Sequence, residues 1–329
     1  MPQIVVEQLA KSFQVAERDP GLLGALRGLV RRRHRTVHAL EGLSFSVEPG
    51  ELIGYIGPNG AGKSTTVKIL SGILVPSSGR CEVDGLVPWR QRVQHVARIG
   101  VVFGQRTQLL WDLPVIESFE LLRDIYRVPA VSYRRTLDQL VGLLELGPLL
   151  ATPARQLSLG QRMRCDLAAA LVHQPRLLFL DEPTIGLDAV SKLVVRRFIR
   201  ELNVEQGVTV LLTTHDLDDI EALCRRVLMI AGGKLLLDGT LDDLRRRAGS
   251  KRRLIIDLQQ PAPLHPEDAA HALEHDDTRL VLQFDPEQVS GPQLISAVTQ
   301  RYPVRDLFVE NPDIEELVAE LYRTKGTSS

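Results

Sequence analysis

The sequence predicts an α/β fold: a largely parallel sheet, strands before it, an inserted helical segment, and a small α+β unit after it. Three features of the 329 residues predict this. From Leu52 to Gly239, short apolar runs of strand length alternate with helix-compatible stretches, the pattern of βαβ units. Between about 106 and 175 the apolar residues fall at helical spacing: Ile116, Phe119, Leu122 and Ile125, then Leu137, Leu140, Val141 and Leu144, then Leu167 to Leu171. After the basic Arg245–Arg253 tract, with its Gly249-Ser250, the pattern of strands and helices starts again.

Composition bounds the class. Apolar residues make up 44% and charged residues 25%, ordinary for a globular chain able to bury a core. The net charge of −1 gives no global basic field of the kind nucleic acid attracts. Cys81, Cys165 and Cys224 lie far apart without CxxC spacing, which argues against a disulfide framework and fits a reducing compartment. The start, Met1 to Glu7, has no charged region leading into an apolar core, so no signal peptide is expected. No run reaches the ~20 apolar residues of a membrane span, so a membrane role would be peripheral and through a partner.

Taken in order, Ile4-Val5-Val6 and Leu9 to Val15 read as strand, with Phe13 as a packing residue or a platform for a base. Residues 16–37 read as an insertion. Asp19-Pro20-Gly21 marks a turn, and Leu22, Leu23, Leu26, Leu29 and Val30 form an amphipathic helix ending in Arg31-Arg32-Arg33-His34-Arg35. Positive charge at a helix end is favourable on dipole grounds alone; docking to a membrane partner or anionic surface is the sharper reading. A strand to Val47 and the turn Glu48-Pro49-Gly50-Glu51 lead to the apolar run Leu52–Ile56. Further strands are expected at Arg80–Asp84, Ile99–Gln105, Leu177–Leu180, Val208–His215, Val227–Ile230 and Lys234–Asp238. Helices are expected at about 191–203 and 218–224. In the last unit, strands at Leu254–Leu258, Leu280–Phe284 and Val304–Val309 flank a helix near Leu294–Thr299, and an amphipathic helix over Asp313–Leu321 closes the chain. His271 and His275 stand four apart beside Glu267 and Asp268. They read as one face of a solvated helix, with a metal pair as the less favoured alternative.

The chemistry centres on Gly57-Pro58-Asn59-Gly60-Ala61-Gly62-Lys63-Ser64-Thr65, between an apolar strand and a helix start. This is the context of a P-loop. Glycines let successive N–H groups turn inward on phosphate oxygens, and the helix adds the positive end of its dipole. Lys63 supplies a mobile positive charge and Ser64 a hydroxyl suited to magnesium. Downstream, Asp181 ends an apolar strand, placed to hold the metal directly or through water, and Glu182 is placed to deprotonate an attacking water. Leu157-Ser158-Leu159-Gly160-Gln161 opens a helix, read as an N-cap or as a second anion site needing a second subunit. His215 ends a later strand, in a structural or a catalytic role. Gln105 ends another, where it could reach metal or water.

In this order the motifs resemble the nucleotide-binding subunit of ABC transporters over about Gln3 to Gly239. The resemblance implies a P-loop NTPase core with an antiparallel β subdomain and an inserted helical subdomain. It implies ATP held by Phe13 on the adenine, by Gly57 through Thr65, and in trans by Ser158, Gly160 and Gln161 of a second subunit. It implies Mg2+ at Ser64, Gln105 and Asp181, and catalytic roles for Glu182, His215, Gln105 and Lys63. Leu159 stands where the family's signature usually has a second glycine, while Ile185-Gly186-Leu187-Asp188 is similar to the D-loop. The stretch Phe103–Pro114 and the insertion resemble exporters of the viologen- and antibiotic-resistance type, which work with ABC-2 type permeases. Trp111 would lie where such subunits hold a coupling helix. The expectation is an ATPase domain over 1–240, an accessory domain over 241–329, and a pair of subunits, identical or closely related, at the cytoplasmic face of the membrane. A soluble ABC-type ATPase of DNA repair or translation is the runner-up. Such proteins usually carry two cassettes or a long coiled coil, and this chain has one cassette and no sustained heptads. A polysaccharide exporter would want more aromatics than Phe284, Tyr302, Phe308 and Tyr322 in its last domain.

Overall fold

The computed structural model describes residues 1–17, 33–104, 106–214, 216–247, 252–286 and 288–310. The chain falls into two units, Met1–Gly239 and Thr240–Ser329. In the first, β1 (Ile4–Glu17) lies between β2 (Arg33–Val47) and β4 (Ser78–Val83) in a three-stranded antiparallel sheet. The β1–β2 pairing runs on through Val15↔Arg35, Ala16↔His34 and Glu17↔Arg33. Residues 16–17 and 33–37 are therefore strand, not insertion. Backbone pairing extends a ribbon past the point where apolar alternation stops, because the ladder bonds need no apolar side chain. The helix expected over Leu22–Val30 lies outside the described residues.

The second sheet has six strands in the order β5-β6-β7-β3-β8-β9. Strands β3 (Leu52–Ile56), β5 (Ile99–Phe103), β6 (Leu177–Asp181), β7 (Thr209–Thr213) and β8 (Arg226–Ala231) are parallel, and β9 (Lys234–Gly239) returns antiparallel. Every residue of β6 and β7 is buried, as a parallel sheet covered on both faces requires. Side-chain alternation along β6 feeds two cores. Leu178 and Leu180 join Phe119, Leu140, Leu144, Leu167 and Phe198, while Leu177 and Phe179 join Tyr55, Val67, Leu211 and Leu228. The pairings Tyr55↔Thr213, Asp181↔Thr213 and Phe103↔Asp181 place the C-terminal tips of β3, β7, β6 and β5 side by side.

Helix α1 (Lys63–Leu70) follows β3, and a short α2 (Arg92–Val96) precedes β5. The predicted helical tract is present as α3 (Val115–Ile125), α4 (Ala130–Leu144) and α5 (Leu159–Leu171). Helices α6 (Ala189–Gln206) and α7 (Leu217–Leu223) flank β7 in the chain. Among the described residues no helix is long and apolar enough to cross a membrane.

The second unit opens with α8 (Leu241–Arg247) and holds an antiparallel sheet, β11-β12-β10-β13, with helix α9 (Gly291–Arg301). Its strands are β10 (Arg252–Leu258), β11 (Ala272–His275), β12 (Arg279–Phe284) and β13 (Val304–Glu310). The helix expected to carry His271 and His275 is instead turn and strand. β11 pairs with β12, and the Gln283 N–H donates to the His271 carbonyl at 2.7 Å, so the two rings do not share a helix face. Asp268 is buried as the acceptor for Tyr302 Oη (2.9 Å) and Arg301 Nη1 (3.0 Å). The expected closing helix, 313–321, lies outside the described residues.

Phe179 is fully buried where β6 meets the α1 side of the sheet. Phe179→Ala is expected to cost about 3–5 kcal/mol, read as a lower urea midpoint in far-UV circular dichroism.

Candidate functional site

The loop from Ile56 to Lys63 leaves β3 at the row of strand tips. Gly62 adopts φ +105°, and a Cβ there would stand 2.6 Å from the Ala39 carbonyl oxygen, so the turn needs glycine both for its dihedral and for close approach to β2. Helix α1 begins at once, with the Thr66 hydroxyl donating to the Gly62 carbonyl (3.1 Å) and Tyr55 Oη to Thr66 Oγ1 (3.0 Å). The Lys63 ammonium lies inside the loop, donating to the carbonyls of Gly57 (2.6 Å) and Pro58 (3.2 Å). Burial pushes its pKa down, and the nearby Glu182 and Asp181 carboxylates pull it back up. Such a cation, stripped of much of its water, gains strongly from an arriving anion.

Asp181, at the tip of β6, is 9% exposed and faces this loop. Its Oδ1 accepts from Thr213 Oγ1 (2.6 Å) and from Ser64 Oγ (3.4 Å). A carboxylate and a hydroxyl this close form a hard-oxygen pair of the kind magnesium prefers. The neighbouring Glu182 has φ +58°, a left-handed backbone that costs a non-glycine residue about 1–3 kcal/mol. Its N–H donates to the Thr213 carbonyl (3.0 Å) and Oγ1 (3.1 Å), which holds that backbone in place. The Gly104 N–H donates to the Asp181 carbonyl (2.7 Å), and a Cβ on Gly104 would fall 2.2 Å from the Glu182 carbonyl oxygen. Lys63, Ser64, Asp181 and Glu182 are thus brought together at one end of the sheet. Gln105 and His215, expected at the same tips, lie outside the described residues.

Phe13 sits half-buried on β1 opposite Val37, with Lys11 Nζ 5.1 Å from its ring centroid. Ser158 caps α5 in a capping box with Gln161: Gln161 N donates to Ser158 Oγ (3.2 Å) and Ser158 N to Gln161 Oε1 (2.9 Å). Gly160 packs against the first turn of α6, where a Cβ would meet Ser191 Oγ at 2.4 Å. Asp188 caps α6, accepting from Ser191 N (2.9 Å) and Oγ (2.7 Å). Among the described residues, the hydrogen bonds of Ser158 and Gln161 run within this α5–α6 corner, not to residues 57–65.

Sequence reasoning missed Thr213, the hydroxyl between Asp181 and Glu182; the signal was its place two residues before His215. It also missed Asp166, an acid within the buried Cys165–Leu171 stretch of α5. Asp166 Oδ1 accepts from Thr107 Oγ1 (2.9 Å) and Gln108 N (3.0 Å), fastening the segment after Gln105 to α5.

Comparison with known proteins places these features. The family described as ABC transporter matches residues 40–185. The chain is 38% identical to the daunorubicin resistance ATP-binding protein DrrA3 of Streptomyces coeruleorubidus over 67% of this chain and 69% of DrrA3. It is 28% identical to the methionine import ATP-binding protein MetN of Latilactobacillus sakei subsp. sakei (strain 23K) over 88% of this chain and 86% of MetN. Among solved structures, the dimeric post-hydrolysis state of the ATP-binding cassette MJ0796 bound to ADP and Pi superposes with a TM-score of 0.60 at 25% identity, covering 72% of this chain and 98% of the cassette.

Burial pushes the Asp166 carboxyl up to about 6, against the opposing hydrogen bonds from Gln108 and Thr107 and the charge of Arg162. An unfolded aspartate titrates near ~3.9, so between the two values the folded chain holds a proton the unfolded chain releases. Stability therefore falls as pH rises through that window. Asp166→Asn keeps the acceptor and cannot ionise. It is expected to melt a few degrees above the wild type at about pH 8, the difference closing by about pH 4, in calorimetric scans at both values.

Proposed function

We propose that this chain, which belongs to the ABC transporter family of ATP-binding subunits and is an ATPase, powers export of a substrate through a separate ABC-2 type membrane permease. The observation that carries the ATPase chemistry is the meeting of Lys63, Ser64, Asp181 and Glu182 at the strand tips. The likeness to a daunorubicin resistance ATP-binding protein supports the export direction.

The roles follow from charge and placement. Residues Gly57 to Thr65 wrap the phosphates, with Lys63 neutralising the outer ones. Ser64 and Asp181 present the oxygen donors that fit Mg2+, and Gln105 is assigned to the same ion; bound there, it would offset charge on the phosphates. Glu182 accepts the proton of the water whose oxygen attacks the terminal phosphorus, and ADP leaves with the bridging electrons. His215 and Gln105 steady the terminal phosphate and the water, and Phe13 stacks on adenine. Ser158, Gly160 and Gln161 serve a second subunit, identical or closely related, so that two ATPs are enclosed between paired chains. Residues 1–240 form the ATPase domain and 241–329 an accessory domain, at the cytoplasmic face of the membrane and peripheral through the permease. Nucleic acid has no part in this reading.

Import is the second reading, favoured by the MetN match, which spans a larger share of this chain than the DrrA3 match. The membrane protein that co-purifies with the chain, and the direction of ATP-driven transport when the two are placed in vesicles, separate the two.

Glu182→Gln is expected to bind ATP normally, to hydrolyse it about 10²- to 10⁴-fold more slowly, and to elute as a dimer when loaded with ATP. Wild-type turnover by this variant would remove Glu182 from the role of base. Lys63→Ala is expected to lose ATP binding in equilibrium titration. Deleting residues 18–32, short of the paired start of β2, is expected to weaken permease association more than nucleotide binding, as a pull-down would show.

A further inference from the structure

We propose that Asp219 is a positioning residue for hydrolysis, locking the loop that carries Glu182, the loop after β7 and helix α6 into one unit. The inference rests on the ATPase reading above and adds a residue to it. Asp219 lies on α7 and is fully buried. Its Oδ2 accepts from the hydroxyl of Thr184, two residues after Glu182, and from Thr214 Oγ1 (3.3 Å), next to His215. Its Oδ1 accepts from Arg196 Nε (2.5 Å), which comes from the second turn of α6, the helix capped by Asp188. Thr184 and Thr214 are 3% and 1% exposed, so neither hydroxyl can turn to water instead.

The surrounding bonds extend the unit. Asp216 N donates to Thr214 Oγ1 (3.0 Å), and Asp216 Oδ2 accepts from Lys192 Nζ (2.6 Å), one turn of α6 before Arg196. Arg196 Nη2 also lies 3.6 Å from Asp216 Oδ1. Two neighbouring loops from two strand tips therefore share one carboxylate, and one helix supplies the cations on its far side. A buried carboxylate with donors on both oxygens is rigid, because losing any one donor leaves an unsatisfied charge. Glu182, held in a left-handed backbone just before the anchored Thr184, needs such an external restraint to keep its carboxylate aimed. Movement of α6, which starts at the corner where Gly160 packs, would pass through Arg196 and Asp219 to both loops at once. Asp219 does not touch the nucleotide; it acts through Thr184 and Thr214.

The test uses the purified full-length chain with ATP and Mg2+. Thr184→Val removes one hydroxyl at nearly constant volume and leaves the Arg196–Asp219 pair intact. It is expected to lower kcat by roughly tenfold to a hundredfold, with ATP affinity close to wild type and a thermal midpoint a few degrees lower, the cost of one donor lost from a buried carboxylate. Thr184→Ser, which keeps the hydroxyl, is expected to return most of the rate. Thr214→Val gives the same split independently, should the first variant fold poorly. Unchanged kcat in both valine variants, or a loss confined to stability with no recovery in the serine variant, would overturn the positioning role while leaving the ATPase reading standing. A wild-type chain that binds ATP without turning it over would overturn the reading itself, and this inference with it.

Discussion

One buried positive charge governs the arrangement of the site. Lys63 is 7% exposed and sits in a loop of backbone carbonyls with Asp181 and Glu182 nearby. A buried ammonium is tolerable only if carbonyls and carboxylates surround it and are fixed before any ligand arrives. The parallel sheet supplies that fixity. Its register puts the tips of β3, β6 and β7 in one row, so that the loop bearing Lys63 and the two acids come from different strands yet meet at one place. Thr213 completes the row by giving its hydroxyl to Asp181 and accepting the Glu182 amide.

The same row explains why the site is assembled from loops, not from one element. Strand β6 is buried along its length and carries no polar side chain until its end: four apolar positions, then Asp181. Polar chemistry is pushed to the tips because a parallel sheet covered on both faces has little other place for it. The segments leaving the tips are restrained by their neighbours. Glycine packing restrains Gly62 and Gly104, hydroxyl contacts restrain Thr184 and Thr214, and the carboxylates of Asp166 and Asp219 hold adjacent segments. Helices α5 and α6 meet each other at their N-terminal ends, with Ser158 and Asp188 as caps. A shift of either helix is transmitted toward the strand tips through bonds already present.

Much of this was legible in the chain. The apolar runs from Leu52 to Ile56 and Leu177 to Leu180 are too short for helices and too apolar for surface strands, and both are buried parallel strands. The spacing Gly57 to Ser64, the acids after Leu180 and the cap at Ser158 each carry their geometry within a few residues, which is why the motifs could be read directly. Where expectation and structure part, the interactions are long-range. Residues 33–37 became strand because β1 offered a ladder. His275 became strand because β12 did. A local pattern of charges and leucines, or two histidines four apart, holds no information about a distant partner with free backbone groups.

By itself the sequence determined the alternation of strands and helices from Leu52 to Gly239, the glycine-rich turn after the first of those strands and the identity of the two acids, since periodicity and short motifs are local properties of a chain. Only the tertiary structure decided that Thr213 joins Asp181 to Glu182, that Asp166 fastens the segment after Gln105, and that Asp219 gathers Thr184, Thr214 and Arg196. These residues are ordinary polar side chains in sequence. Strand register and helix packing bury them beside one another, and there each hydroxyl or carboxylate has to be satisfied by the groups the fold has placed within reach.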